Sequence, residues 1–118
     1  MRSVALTMAR PAECCPGLVA TPISTQDADV TATLFKSLAD PHRVRIVNLL
    51  ATSDEPVCVC DLTSAIGLSQ PTTSFHLKKL VSSGLINREQ RGVWAYYSLN
   101  RQVLRRLSGV FDTKGRVR

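Results

Sequence analysis

A chain of 118 residues is long enough to bury one hydrophobic core but too short to divide into two well-stabilised domains. Its formal charge of +6 is uneven: from Leu62 onward ten basic side chains stand against two acidic ones, while residues 1–61 carry five against seven, so the C-terminal half is the one suited to a polyanion. No apolar run approaches the roughly 20 residues of a membrane span, and Val4 to Met8, broken by Thr7, is too short for a signal peptide, so a cytoplasmic protein without a membrane partner is expected.

Residues 1–24 contain three prolines and no sustained periodicity, which reads as an extended or partly ordered arm carrying Cys14 and Cys15; residues 25–118 read as the folded domain. Thr25 or Asp27 is placed to cap a first helix, along which Val30, Leu34, Phe35 and Leu38 recur at helical spacing. Pro41 fits the first turn of a second helix, where a missing N–H costs little, with Val44, Ile46, Val47, Leu49 and Leu50 on its buried side as far as Ala51 to Ser53. Residues 57–60, Val-Cys-Val-Cys, form either a short strand or the start of a helix through Leu62, Ala65 and Ile66 that Gly67 stops. Ser69 then caps a further helix with Pro71 just inside it, and Gly84 closes that helix. Two helices joined by the tight Gly67-Leu68-Ser69 turn make a helix-turn-helix.

After Gly84 the period drops to two. Leu85 to Gln90 and Val93 to Leu99 read as strands joined by an Arg91-Gly92 turn, which is a wing. Asn100 caps a last helix bearing Val103, Leu104, Leu107, Val110 and Phe111, with Arg101, Arg105 and Arg106 off that stripe. The stripe serves either a dimer face or packing on its own domain. The expected fold is mainly α with a small β wing, a winged helix-turn-helix that dimerises through its terminal helices.

On the helix after Ser69, Thr73, Leu77 and Leu80 fall together, leaving Pro71, Phe75, Lys78 and Lys79 outward, flanked by Thr72 and Ser74. The candidate contacts to double-stranded DNA are therefore Ser69, Gln70, Thr72, Thr73, Ser74, Phe75, His76, Lys78 and Lys79 on this segment, with Arg88 and Arg91 on the wing. Two of these have an alternative reading: Phe75 serves a thymine methyl or rests against the wing, and His76, between the faces, reads as a packed or hydrogen-bonded histidine rather than a ligand. Trp94, Tyr96 and Tyr97 sit at strand spacing and read as strand packing.

In a reducing compartment Cys14, Cys15, Cys58 and Cys60 stay thiols, which favours ligation or redox sensing over a disulfide framework. Cys58 and Cys60 would share an ion if the segment is extended, since two residues along a helix separate side chains by about 200°. If Cys60 lies at a helix N-terminus, the dipole is expected to lower its thiol pKa.

These segments resemble the ArsR/SmtB family of metalloregulatory repressors, its arsenic-sensing branch in particular. The residues that carry the resemblance are 35–46 (FKSLADPHRVRI), 57–62 (VCVCDL), 68–80 (LSQPTTSFHLKKL), Gly84 to Ile86 and the Arg91-Gly92 wing, and it covers roughly residues 30–100. The resemblance implies a homodimer that represses a resistance operon from operator DNA and dissociates on binding a thiophilic metalloid ion, As(III) or Sb(III), at Cys58 and Cys60. Where some members have a third cysteine this chain has Thr63, and where most have a basic or His residue it has Phe75. Trivalent arsenic favours three thiolates, so Cys14 or Cys15 is the expected source of the third.

Other readings are a sensor of Cd(II) or Pb(II) on the same fold and a thiol-redox switch. An oxyanion-handling enzyme such as an arsenate reductase wants an Arg six positions after its Cys, and those positions here hold Ala20, Thr21, Ser64 and Ile66. No GxGxxG, P-loop or Zn-ligand spacing is present, so no catalytic residue is assigned.

Overall fold

The computed structural model describes residues 22–113. In chain order it holds α1 (Thr25–Leu38), α2 (Pro41–Ala51), β1 (Val57–Cys58), α3 (Val59–Ile66), α4 (Gln70–Ser83), β2 (Ile86–Arg91), β3 (Trp94–Leu99) and α5 (Arg101–Gly109). The expected arm, with Cys14 and Cys15, lies outside the described residues except for its last three positions.

Local chemistry sets most helix ends. The cap of α1 is Ser24 rather than Thr25 or Asp27: its Oγ accepts from the Asp27 amide at 3.0 Å, which places Asp27 in the first turn, where a carboxylate faces the positive end of the helix dipole. Asp40 caps α2 by accepting from the amides of His42 (2.8 Å) and Arg43 (3.3 Å), with Pro41 opening the helix. Burial works against ionisation of Asp40, but those two amides and the neighbouring His76 and Arg43 outweigh it and hold the carboxyl below its ordinary value. Ser69 caps α4 by accepting from the Thr72 amide. Gly67 and Gly84 end α3 and α4 in the left-handed region, at φ 81° and 87°, which only glycine adopts without strain.

The residues 57–60 resolve the strand-or-helix alternative by being both. Val57 and Cys58 pair antiparallel with Tyr97 and Tyr96 of β3, and the next residue begins α3. The sheet order is β1-β3-β2. In the hairpin, Arg91 pairs with Trp94, so the turn is Gly92-Val93, one residue later than expected. Gly92 adopts φ 63°, which the first position of a two-residue hairpin turn requires.

One core lies between the helices and the sheet, centred on the fully buried Ile46, Leu62, Leu77, Leu80 and Leu85. Burying each such side chain stabilises the fold by about 1.5–3 kcal/mol. The stripe of α5 divides: Leu107 is buried in the core and Val103 and Leu104 pack against it, whereas Val110 and Phe111 are exposed. Arg101 donates to the carbonyls of Ala51 (3.4 Å) and Ser53 (3.1 Å), which ties α5 to the end of α2. The architecture is a winged helix-turn-helix.

Candidate nucleic-acid interface and thiol site

Four residues of α4, Thr73, His76, Leu77 and Leu80, are buried against α2, α3 and the sheet. Two of them, Thr73 on the inner stripe and His76 between the faces, are among the expected DNA contacts, and the structure corrects this by burying both. Thr73 is fully buried, with its Oγ1 donating to the Ser69 carbonyl at 2.9 Å. His76 is 7% exposed, and its Nδ1 accepts a hydrogen bond from Arg43 Nε at 3.1 Å. Arg43 also donates to the Ser37 carbonyl, so this α2 side chain joins α1, α2 and α4. Its role was not legible in sequence, because its partner lies 33 residues away. The second histidine, His42, lies 5.5 Å from His76 between ring centroids, with the planes tilted by 43°.

Gln70, Thr72, Ser74, Phe75, Lys78 and Lys79 are exposed, as is Ser69, whose Oγ is engaged with the Thr72 amide and hydroxyl. Between α4 and β2 lies a groove of about 520 Å³ lined by Ser74, Lys78, Val81, Ser82, Arg88 and Tyr97, with two cations and no carboxylate. Arg88 donates to Gln90 Oε1 at 2.7 Å on the same side of the strand.

Arg91 departs from expectation. It is not at the wing tip but in β2, and alternation along the strand turns it to the opposite side from Arg88. There its guanidinium lies 4.6 Å from the centre of the Tyr96 ring and pairs with Glu89 at 3.1 Å. That hydrogen bond and the Arg91 charge hold Glu89 below the ordinary carboxylate range. The tip is formed by Gly92 and Val93, the latter 84% exposed. Of the three aromatics read as strand packing, Tyr97 is buried and Tyr96 half-buried, but Trp94 is exposed.

The two helix-motif thiols are brought together. Cys58 Sγ, buried at the end of β1, lies 2.9 Å from Cys60 Sγ, which is exposed in the first turn of α3. The crossing from strand to helix between residues 58 and 59 does this; a continuous helix would have parted them. A bridging ion with metal–sulfur bonds of about 2.3 Å and a near-tetrahedral angle needs its sulfurs roughly 3.5–3.8 Å apart. Holding such an ion at both sulfurs therefore requires the two thiols, 2.9 Å apart, to part by less than about 1 Å.

The expected lowering of the Cys60 pKa is not found. The hydrogen bond to the Cys58 sulfur, desolvation, and the charges of Cys58 and Asp61 raise it, outweighing the Asp61 amide. Thr63, standing where a third cysteine would be, donates to the Val59 carbonyl at 2.8 Å within its own helix. Among the described residues no group of three or more His, Cys, Asp or Glu side chains is placed to hold a metal ion.

Phe35 of α1 stacks on Phe111 beyond α5, with ring centroids 5.8 Å apart and planes inclined by 25°. A depression beside them, between α1 and α5, is lined by Ile23, Val30, Leu34, Val103 and Val110 among others. Ile23, Val30, Phe35, Val110 and Phe111 are all exposed there.

Residues 40–88 match the model of the bacterial regulatory proteins of the arsR family. The chain is similar to the arsenic resistance transcriptional regulator of Pseudomonas putida, at 44% identity over 70 residues covering 59% of this chain and 54% of that protein. It is also similar to the arsenical resistance operon repressor of Staphylococcus xylosus, at 38% identity over 73 residues covering 62% of this chain and 68% of that protein. The chain thus spans between about half and two thirds of the length of these relatives. Its structure is similar to a homodimeric winged helix-turn-helix DNA-binding domain from Mycobacterium bovis, with a TM-score of 0.62, 30% identity, and coverage of 75% of this chain and 83% of that one.

Proposed function

The chain belongs to the arsR family of bacterial regulatory proteins, and on that footing we propose that it is a homodimeric repressor of an arsenical resistance operon, released from operator DNA by As(III) or Sb(III). Relatives named as an arsenic resistance transcriptional regulator and an arsenical resistance operon repressor, together with the exposed polar face of α4, support the DNA-binding half. Gln70, Thr72 and Ser74 near the helix N-terminus are suited to base edges and backbone, and Lys78 and Arg88, across the groove, to phosphates. The exposed apolar surface of α1 and α5 around Phe35 and Phe111 is the proposed contact between two copies.

The observation that carries the sensor half is the pairing of Cys58 and Cys60 at the junction of β1 and α3. That junction belongs at once to the sheet that carries the wing and to the helix that packs on α4. An ion drawing on both sulfurs acts on both DNA-contacting elements together. The third thiolate is assigned to Cys14 or Cys15, and the protein to the cytoplasm, where thiols stay reduced. A coupling of about 1–3 kcal/mol between ion and DNA is of the size usual for linked sites.

Fluorescence anisotropy on DNA from upstream of the chain's own gene tests this, with arsenite, antimonite, cadmium and zinc added in turn. Arsenite is expected to release the wild type and to leave Cys58→Ser and Cys60→Ser bound. A complex indifferent to arsenite and antimonite overturns the sensor assignment. A Cys14→Ser/Cys15→Ser double variant that responds like wild type removes the arm as ligand source.

A further inference from the structure

Phe75 is the only aromatic side chain among the exposed residues of α4, and it is 53% exposed. At 100° per residue it points about 150° away from the centre of the stripe formed by Thr73, His76, Leu77 and Leu80, so it is among the residues that reach furthest from the domain. Its neighbours are cations and a histidine: Lys79 Nζ lies 5.4 Å and Arg43 Cζ 5.9 Å from the ring centroid, and His76 meets it edge to face at 5.6 Å. Arg43 is itself held by His76 and the Ser37 carbonyl, so the ring has a fixed support behind it. Beside the ring, the surface running to α1 is a depression of about 310 Å³ lined by Lys36, Arg43, Lys79 and hydroxyl groups, with no carboxylate.

An exposed aromatic ring costs solvation free energy unless a partner covers it. The partner that suits this one presents a small apolar group surrounded by dense negative charge. Duplex DNA has such a place in its major groove, where the thymine C5-methyl is the one apolar group on the base edges and lies between phosphate strands. A hydrophobic protein partner would not call for two cations against the ring and a third, Lys36, in the depression beside it.

We propose that Phe75 is a specificity-determining residue that packs on a thymine C5-methyl group in the major groove, while Arg43 and Lys79 take flanking phosphates. This rests on the reading of the chain as a DNA-binding protein. It also extends the contact surface beyond the helix-turn-helix and wing, to Arg43 of α2.

The experiment replaces each thymine of the protected operator half-site, one at a time, by deoxyuridine, which removes only the methyl group. Dissociation constants are then measured for wild type, Phe75→Ala, Phe75→Leu and Lys79→Ala. At one thymine the replacement is expected to weaken wild type about fourfold per half-site, the value of one buried methyl-sized group. The same replacement leaves Phe75→Ala unaffected and Phe75→Leu with a reduced penalty. Lys79→Ala keeps the thymine penalty, binds every sequence more weakly, and loses about one unit of salt slope per protomer.

Wild type indifferent to every deoxyuridine, or Phe75→Ala paying the wild-type penalty, overturns the proposal and leaves DNA binding standing. Failure of wild type to bind the operator in a salt-dependent way overturns both. The Phe75 variants change an exposed side chain, and unaltered thermal melting and oligomeric state show that each is folded.

Discussion

Arg43 Nε donates to His76 Nδ1 across 3.1 Å and so fastens the start of α2 to the middle of α4. His76, 7% exposed and held by Arg43, is therefore a bracket for α4 rather than part of its surface. Truncation to Ala is expected to lower unfolding stability by about 2–3 kcal/mol, through the lost packing and the unpaired Arg43 donor. In urea melts the midpoint should fall with little change in slope. At temperatures where His76→Ala is folded, its DNA affinity should fall less than that of Lys78→Ala; the reverse order would return His76 to the surface role.

The two wing arginines should separate cleanly. Arg88 shares the groove with Lys78, while Arg91 is on the other side of the sheet with Glu89 and Tyr96. Arg88→Ala is expected to weaken operator binding several-fold and to flatten its salt dependence, and Arg91→Ala to change either by less than twofold. Titrating both variants at two salt concentrations checks this.

Helix-terminal thiols are ordinarily acidic, yet Cys60 is not. Its raised pKa means that the folded state favours the protonated thiol. The resulting stabilisation is present below the unfolded-state thiol pKa and is lost as pH rises through the folded-state value. Without added ion, alkylation of Cys60 by iodoacetamide should therefore inflect at higher pH than that of a cysteine in the unfolded chain. Cys58→Ser, which alters the first cause of the shift, should move the inflection down. Mass spectrometry of the modified peptide gives both rates.

If Phe35 and Phe111 face a second copy, a charge placed there meets a desolvation cost in the dimer that it does not meet in the monomer. Phe35→Asp is expected to weaken dimerisation at least tenfold in sedimentation equilibrium. Operator affinity should fall with it, since two half-sites are no longer bound as one. A fully dimeric Phe35→Asp would place the interface elsewhere.

Much of the frame was legible because its signals are local. Ser69 with Pro71, Gly67, Gly84 and Asn100 each act within a turn of their own position, and each marks the boundary expected of it. Errors of one residue arose where neighbours compete for the same task, as with Ser24 against Thr25 and with Gly92 against Arg91 at the hairpin turn. What sequence did not disclose depends on distant partners. His76 looks outward-capable until Arg43 arrives from another helix, and the Cys60 thiol looks acidic until the Cys58 sulfur is beside it. The closeness of the two sulfurs was conditional in sequence on an extended segment, and the strand-to-helix junction meets that condition in half its length.

Cys58 and Cys60 share no residue with the exposed face of α4, although only α3 and one turn join them. Effector choice and address choice are then separable in evolution and in the laboratory. Exchanging the side chains at the β1–α3 junction should retune which toxicant is reported while the promoter stays the same, and rewriting positions 70 to 79 on their outward side should move an unchanged detector to a new promoter. A whole-cell biosensor could be assembled from this chain by treating the two as interchangeable cassettes.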